Sequence, residues 1–327
     1  IVWVFRHGVD LSQVDSRIRC VRFRSWEYLK MVASAEFLVT NSRTDSWHAY
    51  WHKRPGQKYL MLWHGGAALK QVERDVEDRL GYSYVKKAKR DSRMCDLMIS
   101  GCRANTELIR RSFWYSGEIL EQGIPRNDMF FKKELHHSLR QNINRQYGIA
   151  PDSRIVLYAP TFRHSGSIEP YRIDWHAVVP RLEKMFGGDS VTIFLRLHPN
   201  LIGKADTRPL MNHPSVVDMT RYHDMQELLC ISDMLITDYS SSMFDYAMLR
   251  RPCLLYATDV EEYDRGYYYN FNELPFPLAR NVEQLVAIID EFDSEKYKSD
   301  LDAFLQNRLG LMERGVAAKA LAEWMMS

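Results

Sequence analysis

Short apolar runs, each followed by a stretch with apolar residues at helical spacing, recur along most of this chain. In the first half the runs are IVWVF (1–5), FLVT (37–40), YLMLW (59–63), DLMIS (96–100) and EILEQG (118–123), with SWEYLKMVASAE and ANTELIRRSFW between them. Runs this short and apolar, bounded by turn residues, read as strands, and the segments between them as helices. Asn105 or Thr106 stands where a helix cap is expected. After Gly123-Ile124-Pro125-Arg126-Asn127-Asp128 the rhythm breaks, and the polar helical stretch KKELHHSLRQNINRQYGIAPDS is the expected linker. The alternation restarts at RIVLYAP and continues through VTIFLRL, SVVDMT, DMLITDY and PCLLYAT. It closes on two helical segments, NVEQLVAIIDEF and VAAKALAEWMMS.

Strands alternating with helices in both halves predict an α/β protein of two doubly wound, parallel, Rossmann-like sheets with a cleft between them. The 327 residues are enough for two cores, expected at 1–135 and 136–327, with the last helix packing back on the first domain. The chain begins inside a strand-like run without a methionine, so the first domain is expected to be truncated at its start.

Charge and composition exclude several classes. With 44 basic and 42 acidic residues the net charge is +2, so the chain is not built as a polyanion clamp and no nucleic acid partner is expected. No apolar run is long enough for a membrane-spanning helix, and no signal-peptide pattern is present. Cys20, Cys95, Cys102, Cys230 and Cys253 are scattered, without a CxxC pair. This argues for a reducing compartment and against a disulfide framework or a structural zinc site. The histidines show no metal-ligand spacing and HExxH is absent, so no protein-held metal is expected. GxGxxG, GxxxxGK[ST] and GxSxG are missing too, leaving dehydrogenase, P-loop and α/β-hydrolase readings without support.

Doubly wound sheets bind ligands at the carboxyl ends of their strands, so the residues that end strands carry the functional information. LWHGG ends one run: His64 titrates near neutrality, and Gly65 and Gly66 let backbone N–H groups approach a ligand closely. FLRLHPN ends another in Arg196, His198 and Asn200, with Pro199 forcing a turn. LITDYSSSMFDY runs from Asp238 through Ser240, Ser241 and Ser242 into a helix carrying Asp245, an arrangement suited to phosphate. YAPTFR offers the Thr161 hydroxyl and the Arg163 fork to a diphosphate. Each segment taken alone also suits a plain turn or helix cap. Two histidine endings in separate domains raise the case for a shared cleft. The basic run Lys86, Lys87, Lys89, Arg90, Arg93 reads as a solvated helix face or a patch for anionic headgroups.

With WHG, YAPTFR, RLHPN and ITDYSSSMFDY in this order, the chain resembles the CDP-glycerol glycerophosphotransferases, the teichoic-acid primases and polymerases of bacterial cell-wall synthesis, with relatives in capsule assembly. The likeness extends to VWVFR, NSR (41–43), GIPRND (123–128) and DVEEYDRGYYYNFNELPFP. It departs at WHGGAALK, where the family commonly has WHGTPLK, and at Phe276, where it tends to have glycine. The resemblance implies a GT-B-type fold whose first domain receives the acceptor and whose second holds the nucleotide donor. It also implies that His64 and His198 are the essential histidines. Thr161, Arg163, Arg196, Asn200, Asp238, Ser240, Ser241, Ser242 and Asp245 fall on the donor side, and Gly65, Gly66 and Lys70 on the acceptor side.

The expected reaction moves glycerol phosphate, or another polyol phosphate, from a CDP-activated donor to a hydroxyl of a lipid-linked saccharide or growing polymer, releasing CMP. No cofactor is expected. The expected place is the cytoplasm, peripherally on the inner face of the membrane. A glycosyltransferase or sugar-nucleotide epimerase using a UDP-sugar on the same fold stays open at this point, as does a non-catalytic relative that binds a polyanion.

Overall fold

The computed structural model describes residues 1–7, 9, 11–12, 14–44, 52–163, 167–198, 201, 206–260 and 266–327. In the first lobe, β1 (Val2–Phe5) pairs in parallel with β2 (Arg19–Arg22), and α1 (Trp26–Ser34) follows. β2 has no counterpart in the sequence reading because RCVR buries only Val21 and shows no apolar run. Next come β3 (Phe37–Thr40), β4 (Lys58–Met61), α2 (Tyr82–Met94), β5 (Leu97–Ile99), α3 (Arg103–Ser112) and β6 (Glu118–Leu120). The four strands β3 to β6 form a parallel sheet in chain order. The expected cap at Asn105 or Thr106 is corrected: α3 starts earlier, with Cys102 at its N-cap. Asn105 lies buried in the first turn with its amide directed at Ser100 Oγ, 3.4 Å away.

The segment from Gly123 to Phe131 leads from β6 toward the second lobe, and the polar stretch after it is helical rather than an open tether. That stretch forms α4 (Lys133–Tyr147), whose apolar face, Leu139, Ile143 and Tyr147, packs into the second core beside Leu228 and Leu229. Its many polar residues are its solvent face, which is why the sequence resembles a linker.

The second lobe continues with β7 (Arg154–Ala159), α5 (Trp175–Met185), β8 (Val191–Leu195), β9 (Val216–Asp218), α6 (Met225–Ile231) and β10 (Met234–Thr237). It ends with α7 (Ser242–Ala247), β11 (Cys253–Tyr256), the two-residue β12 (Leu278–Ala279), α8 (Val282–Asp290), α9 (Ser294–Ala303) and α10 (Ala317–Met326). All six strands are parallel, in the order β12-β11-β10-β7-β8-β9. The chain therefore steps outward from β7 to β9 and returns on the other side of β7 with β10. Along β7, Ile155, Leu157 and Ala159 face one core and Val156 and Tyr158 the other, so both faces of the sheet are covered. Phe276, a departure from the resembled pattern, is buried against Phe244 and Phe304.

α10 leaves the second lobe and covers the first. Leu321 packs with Leu60, Leu97 and Ile99, and Trp324 Nε1 donates to Glu118 Oε1 at 3.1 Å. Asp128, in the segment before α4, accepts from the N–H groups of Ala317 and Ala318 at 2.9 and 2.8 Å and anchors the start of this helix.

Candidate active site

β7 and β10 are neighbours in the sheet, but the chain leaves them toward opposite edges, so a crevice opens beyond their carboxyl ends. Pro160-Thr161 leaves β7 there, Tyr239-Ser240-Ser241 leaves β10, and Arg196-Leu197-His198 leaves β8 alongside. From the first lobe the end of β4 supplies Trp63, His64 and Gly65, followed by Ala67 to Lys70. These segments line one cavity of about 490 Å³ between the lobes, and both imidazoles open into it. Backbone pairing closes the far side: Gln71 N–H donates to Gly266 O and Tyr268 N–H to Leu69 O, each at 2.8 Å. Lys70 forms an antiparallel bridge with Tyr267 between them.

His64 is presented by a strained turn. Trp63 has φ of +54°, a left-handed conformation unfavourable for a bulky residue, and its ring packs edge-on to Phe113 at 4.8 Å and against His64 at 4.2 Å. His64 Nδ1 lies 3.3 Å from the carbonyl of Asn41, which directly follows the neighbouring strand β3. A carbonyl can only accept, so this contact places the neutral ring's proton on Nδ1 and leaves the Nε2 lone pair available. Burial holds the His64 pKa below the ordinary 6.5; the Asn41 bond opposes that shift, and the nearby Arg126 charge reinforces it. His198 is likewise lowered by burial, and its ring tilts against Phe162 at 5.6 Å. Both shifts favour the neutral ring over the imidazolium.

The donor-side residues divide sharply. Thr161 lines the cavity with its hydroxyl buried and without a hydrogen-bond partner among the described residues, while Ser240 and Ser241 present hydroxyls beside it. Ser240 Oγ and Ser242 Oγ are 2.8 Å apart, so Ser242 supports the loop without lining the cavity. Arg196 lines the cavity and donates Nη1 to the carbonyls of Met219 and Tyr222, at 3.1 and 2.6 Å. Among the described residues it forms no ion pair with a carboxylate, Asp224 acting on it only as a nearby charge. Asn200 lies outside the described residues.

Three expected donor contacts take other positions. Arg163 is 6% exposed and points away from the cavity. Its guanidinium bonds Asp238 at 2.7 Å and Asp259 at 2.7 and 3.0 Å, and it lies over the Tyr239 ring at 4.7 Å. Asp238 is 1% exposed and accepts from the N–H groups of Thr161 and Tyr239. Asp245 is buried against Arg126 and Asn127. A fork suited to a diphosphate suits two carboxylates equally well, and the sequence does not say which stands nearer.

On the acceptor side, Gly65 borders the cavity, and an added Cβ would stand 3.9 Å from Ser241 Oγ. Gly66 is buried beneath the loop. Two contributors escaped the sequence reading: the Asn41 carbonyl and the Arg126 side chain, whose Nη1 donates to the His64 carbonyl at 2.7 Å. NSR and GIPRND marked both segments, but a main-chain acceptor leaves no residue-type signature. Among the described residues no group of three or more His, Cys, Asp or Glu is placed to hold a metal ion, and no helix is long and apolar enough to cross a membrane.

Two parallel-sheet α/β lobes facing across a cleft, the second doubly wound, each contributing an imidazole, with hydroxyls at the switch point of the second, define a GT-B-type group-transfer fold. The chain belongs to the CDP-Glycerol:Poly(glycerophosphate) glycerophosphotransferase family, whose model matches residues 1–319. It is 31% identical over 336 aligned residues to a teichoic acid poly(glycerol phosphate) polymerase of Staphylococcus epidermidis. That match covers 98% of this chain but only 45% of the relative, so the chain spans less than half of that protein. It is 29% identical to the corresponding polymerase of Bacillus spizizenii, over 99% of this chain and 82% of that one. Among solved structures it is similar to the wall teichoic acid polymerase TagF, with a TM-score of 0.83 at 30% identity, over 99% of this chain and 80% of that one. A variant of that polymerase was also solved after a soak with CDPG.

Proposed function

We propose that the protein transfers glycerol phosphate from CDP-glycerol to a hydroxyl of a growing teichoic-acid-type poly(glycerol phosphate) chain or its lipid-linked saccharide primer, releasing CMP. The acceptor hydroxyl attacks the phosphorus that bears the glycerol. A new P–O bond forms there, and the bond from that phosphorus to the bridging oxygen breaks with its electron pair leaving on CMP. His64 takes the hydroxyl's proton at Nε2, a role that typically contributes about 10²- to 10⁴-fold. His198, from the other lobe, donates a hydrogen bond to the diphosphate. The Thr161, Ser240 and Ser241 hydroxyls and the Arg196 charge, already oriented, stabilise the charge gathering on the departing phosphate. The reading calls for no covalent enzyme intermediate and no resident cofactor.

The observation that carries this reading is one cavity lined by both His64 and His198, with the Thr161 hydroxyl, unpartnered among the described residues, at its switch-point wall. The names of the similar proteins favour glycerol phosphate as the transferred group. The same reading puts the enzyme on the inner face of the cell membrane, where a lipid-linked acceptor is held. Lys86, Arg93 and the 82%-exposed Tyr82 on α2 support that placement as a surface for anionic headgroups.

The test is CMP release by the purified protein from CDP-glycerol, compared with CDP-ribitol and UDP-sugars, before and after His64→Ala and His198→Ala. Turnover of CDP-glycerol that falls by about 10²-fold or more in either variant is expected. Near-normal turnover in either variant, or turnover of a UDP-sugar alone, would reject the reading.

A further inference from the structure

Asp245 lies in α7, directly after the serine loop, where the resemblance expects a donor contact, yet both its oxygens are engaged away from the cavity. Oδ2 accepts from Arg126 Nη2 at 2.6 Å and Oδ1 from Asn127 Nδ2 at 3.3 Å, and the residue is 4% exposed. The other prong of the same guanidinium, Nη1, donates to the His64 carbonyl at 2.7 Å. One planar cation thus joins the main chain of the base-bearing loop to the helix behind the serine loop. Gly66 permits the approach, since a Cβ there would lie 3.1 Å from Asp245 Oδ1 and 3.3 Å from Ile124 Cδ1. A lysine could not make both bonds, because they require two donors held in one plane.

We infer that Arg126 and Asp245 are positioning residues, a clasp between the lobes that holds the His64 loop against the serine-bearing helix and fixes where the imidazole meets the donor. This rests on the transferase reading above. The clasp also sets the field at the ring. Burial and the Arg126 charge both disfavour the imidazolium, while the Asn41 carbonyl and Glu73 favour it. Glu73 is itself paired with Arg43 at 2.9 Å and Asp245 with Arg126, so Arg126 acts against largely compensated acids. Lys70, Arg196 and His198 face the same cavity from farther round its wall.

The test uses Asp245→Asn, Arg126→Met, Arg126→Lys and the Asp245→Asn/Arg126→Met double variant of the full chain. In steady-state CMP release, each single variant is expected to lose roughly 10- to 100-fold in kcat with the CDP-glycerol KM kept within about 2-fold. The double variant should be no worse than the weaker single one, because both remove the same clasp. Arg126→Met should also move the acid limb of the pH profile upward by roughly half a unit or more, whereas Arg126→Lys, which keeps the charge, leaves it in place. A donor KM raised about tenfold in Asp245→Asn with kcat intact would make Asp245 a donor ligand and overturn the clasp, as would multiplicative losses in the double variant. If the unaltered protein releases no CMP, the transferase reading fails on its own. The clasp is then read by NMR titration of the His64 ring, expected to be raised in Arg126→Met alone and refuting the clasp if unchanged. Should Arg126→Met not fold, Arg126→Lys and Asp245→Asn decide the matter through the kcat-against-KM split.

Discussion

The N–H of Thr161 donates to both carboxylate oxygens of Asp238, at 2.8 and 3.0 Å, while the hydroxyl of the same residue is buried without a partner among the described residues. The bond joins the ends of β7 and β10, the strands flanking the chain reversal, and fixes the Thr161 backbone at the cavity wall where the proposed reaction puts the diphosphate. An unmade hydrogen bond at a buried hydroxyl is unfavourable in the empty protein and is recovered when a charged acceptor arrives. Thr161→Val is therefore expected to leave the melting temperature unchanged or higher and to raise the donor KM about tenfold, equivalent to ~1.5 kcal/mol. Calorimetry and steady-state kinetics on one preparation check both.

The pH profile follows from the two histidines. Each has its pKa below the ordinary 6.5, burial being the leading cause. His64 can accept a proton only when neutral, so activity is lost as pH falls through its lowered pKa and is insensitive to this group above it. The acid limb of kcat/KM is expected below pH 6.5, with a plateau through neutrality. A limb centred above 7 would show that the imidazole is stabilised as a cation.

Arg163 is expected to behave as a structural cation. Removing it strands Asp238, 1% exposed, beside Asp259 without a counter-charge. Arg163→Met should lower the unfolding free energy by about 3–5 kcal/mol. Denaturant unfolding measures that loss. A stable variant with only a raised donor KM would return Arg163 to the diphosphate.

Glu313 gives the fold its own pH dependence. Its carboxyl is 7% exposed and accepts from Ile124 N and Asn127 Nδ2, and burial raises its pKa to about 7. Because the folded value lies above the unfolded one, the contribution is complete below pH 4.5 and disappears as pH rises through 7. Stability should decline between those values by up to roughly 3 kcal/mol, and Glu313→Gln should flatten the decline. Urea titrations at several pH values resolve the two curves.

Strand ends and their chemistry were legible because a buried parallel strand writes itself as an apolar run, and whatever follows it lands on the sheet's carboxyl edge. LWHGG and FLRLHPN could be placed on that edge before any coordinates, as could the serines after LIT. β2 and β12 were not legible: one buries a single side chain and the other is two residues long. Arg163 and Asp245 were assigned to the donor because charge alone does not say whether its partner is a ligand or another side chain.

Two parallel sheets interleaved with helices, and the residue types at their edges, are written into the local apolar pattern, which needs no knowledge of distant contacts; that the first sheet runs in plain chain order and only the second reverses is not. Which of those residues face the cavity depends on contacts between distant segments. The tertiary structure turns Arg163 onto Asp238 and Asp259, sets Asp245 on Arg126, and leaves the Thr161 hydroxyl unpaired among the described residues. The physical reason is that ion pairs and orphaned donors are settled between segments separated by scores of residues, where burial and geometry choose the partner and composition does not.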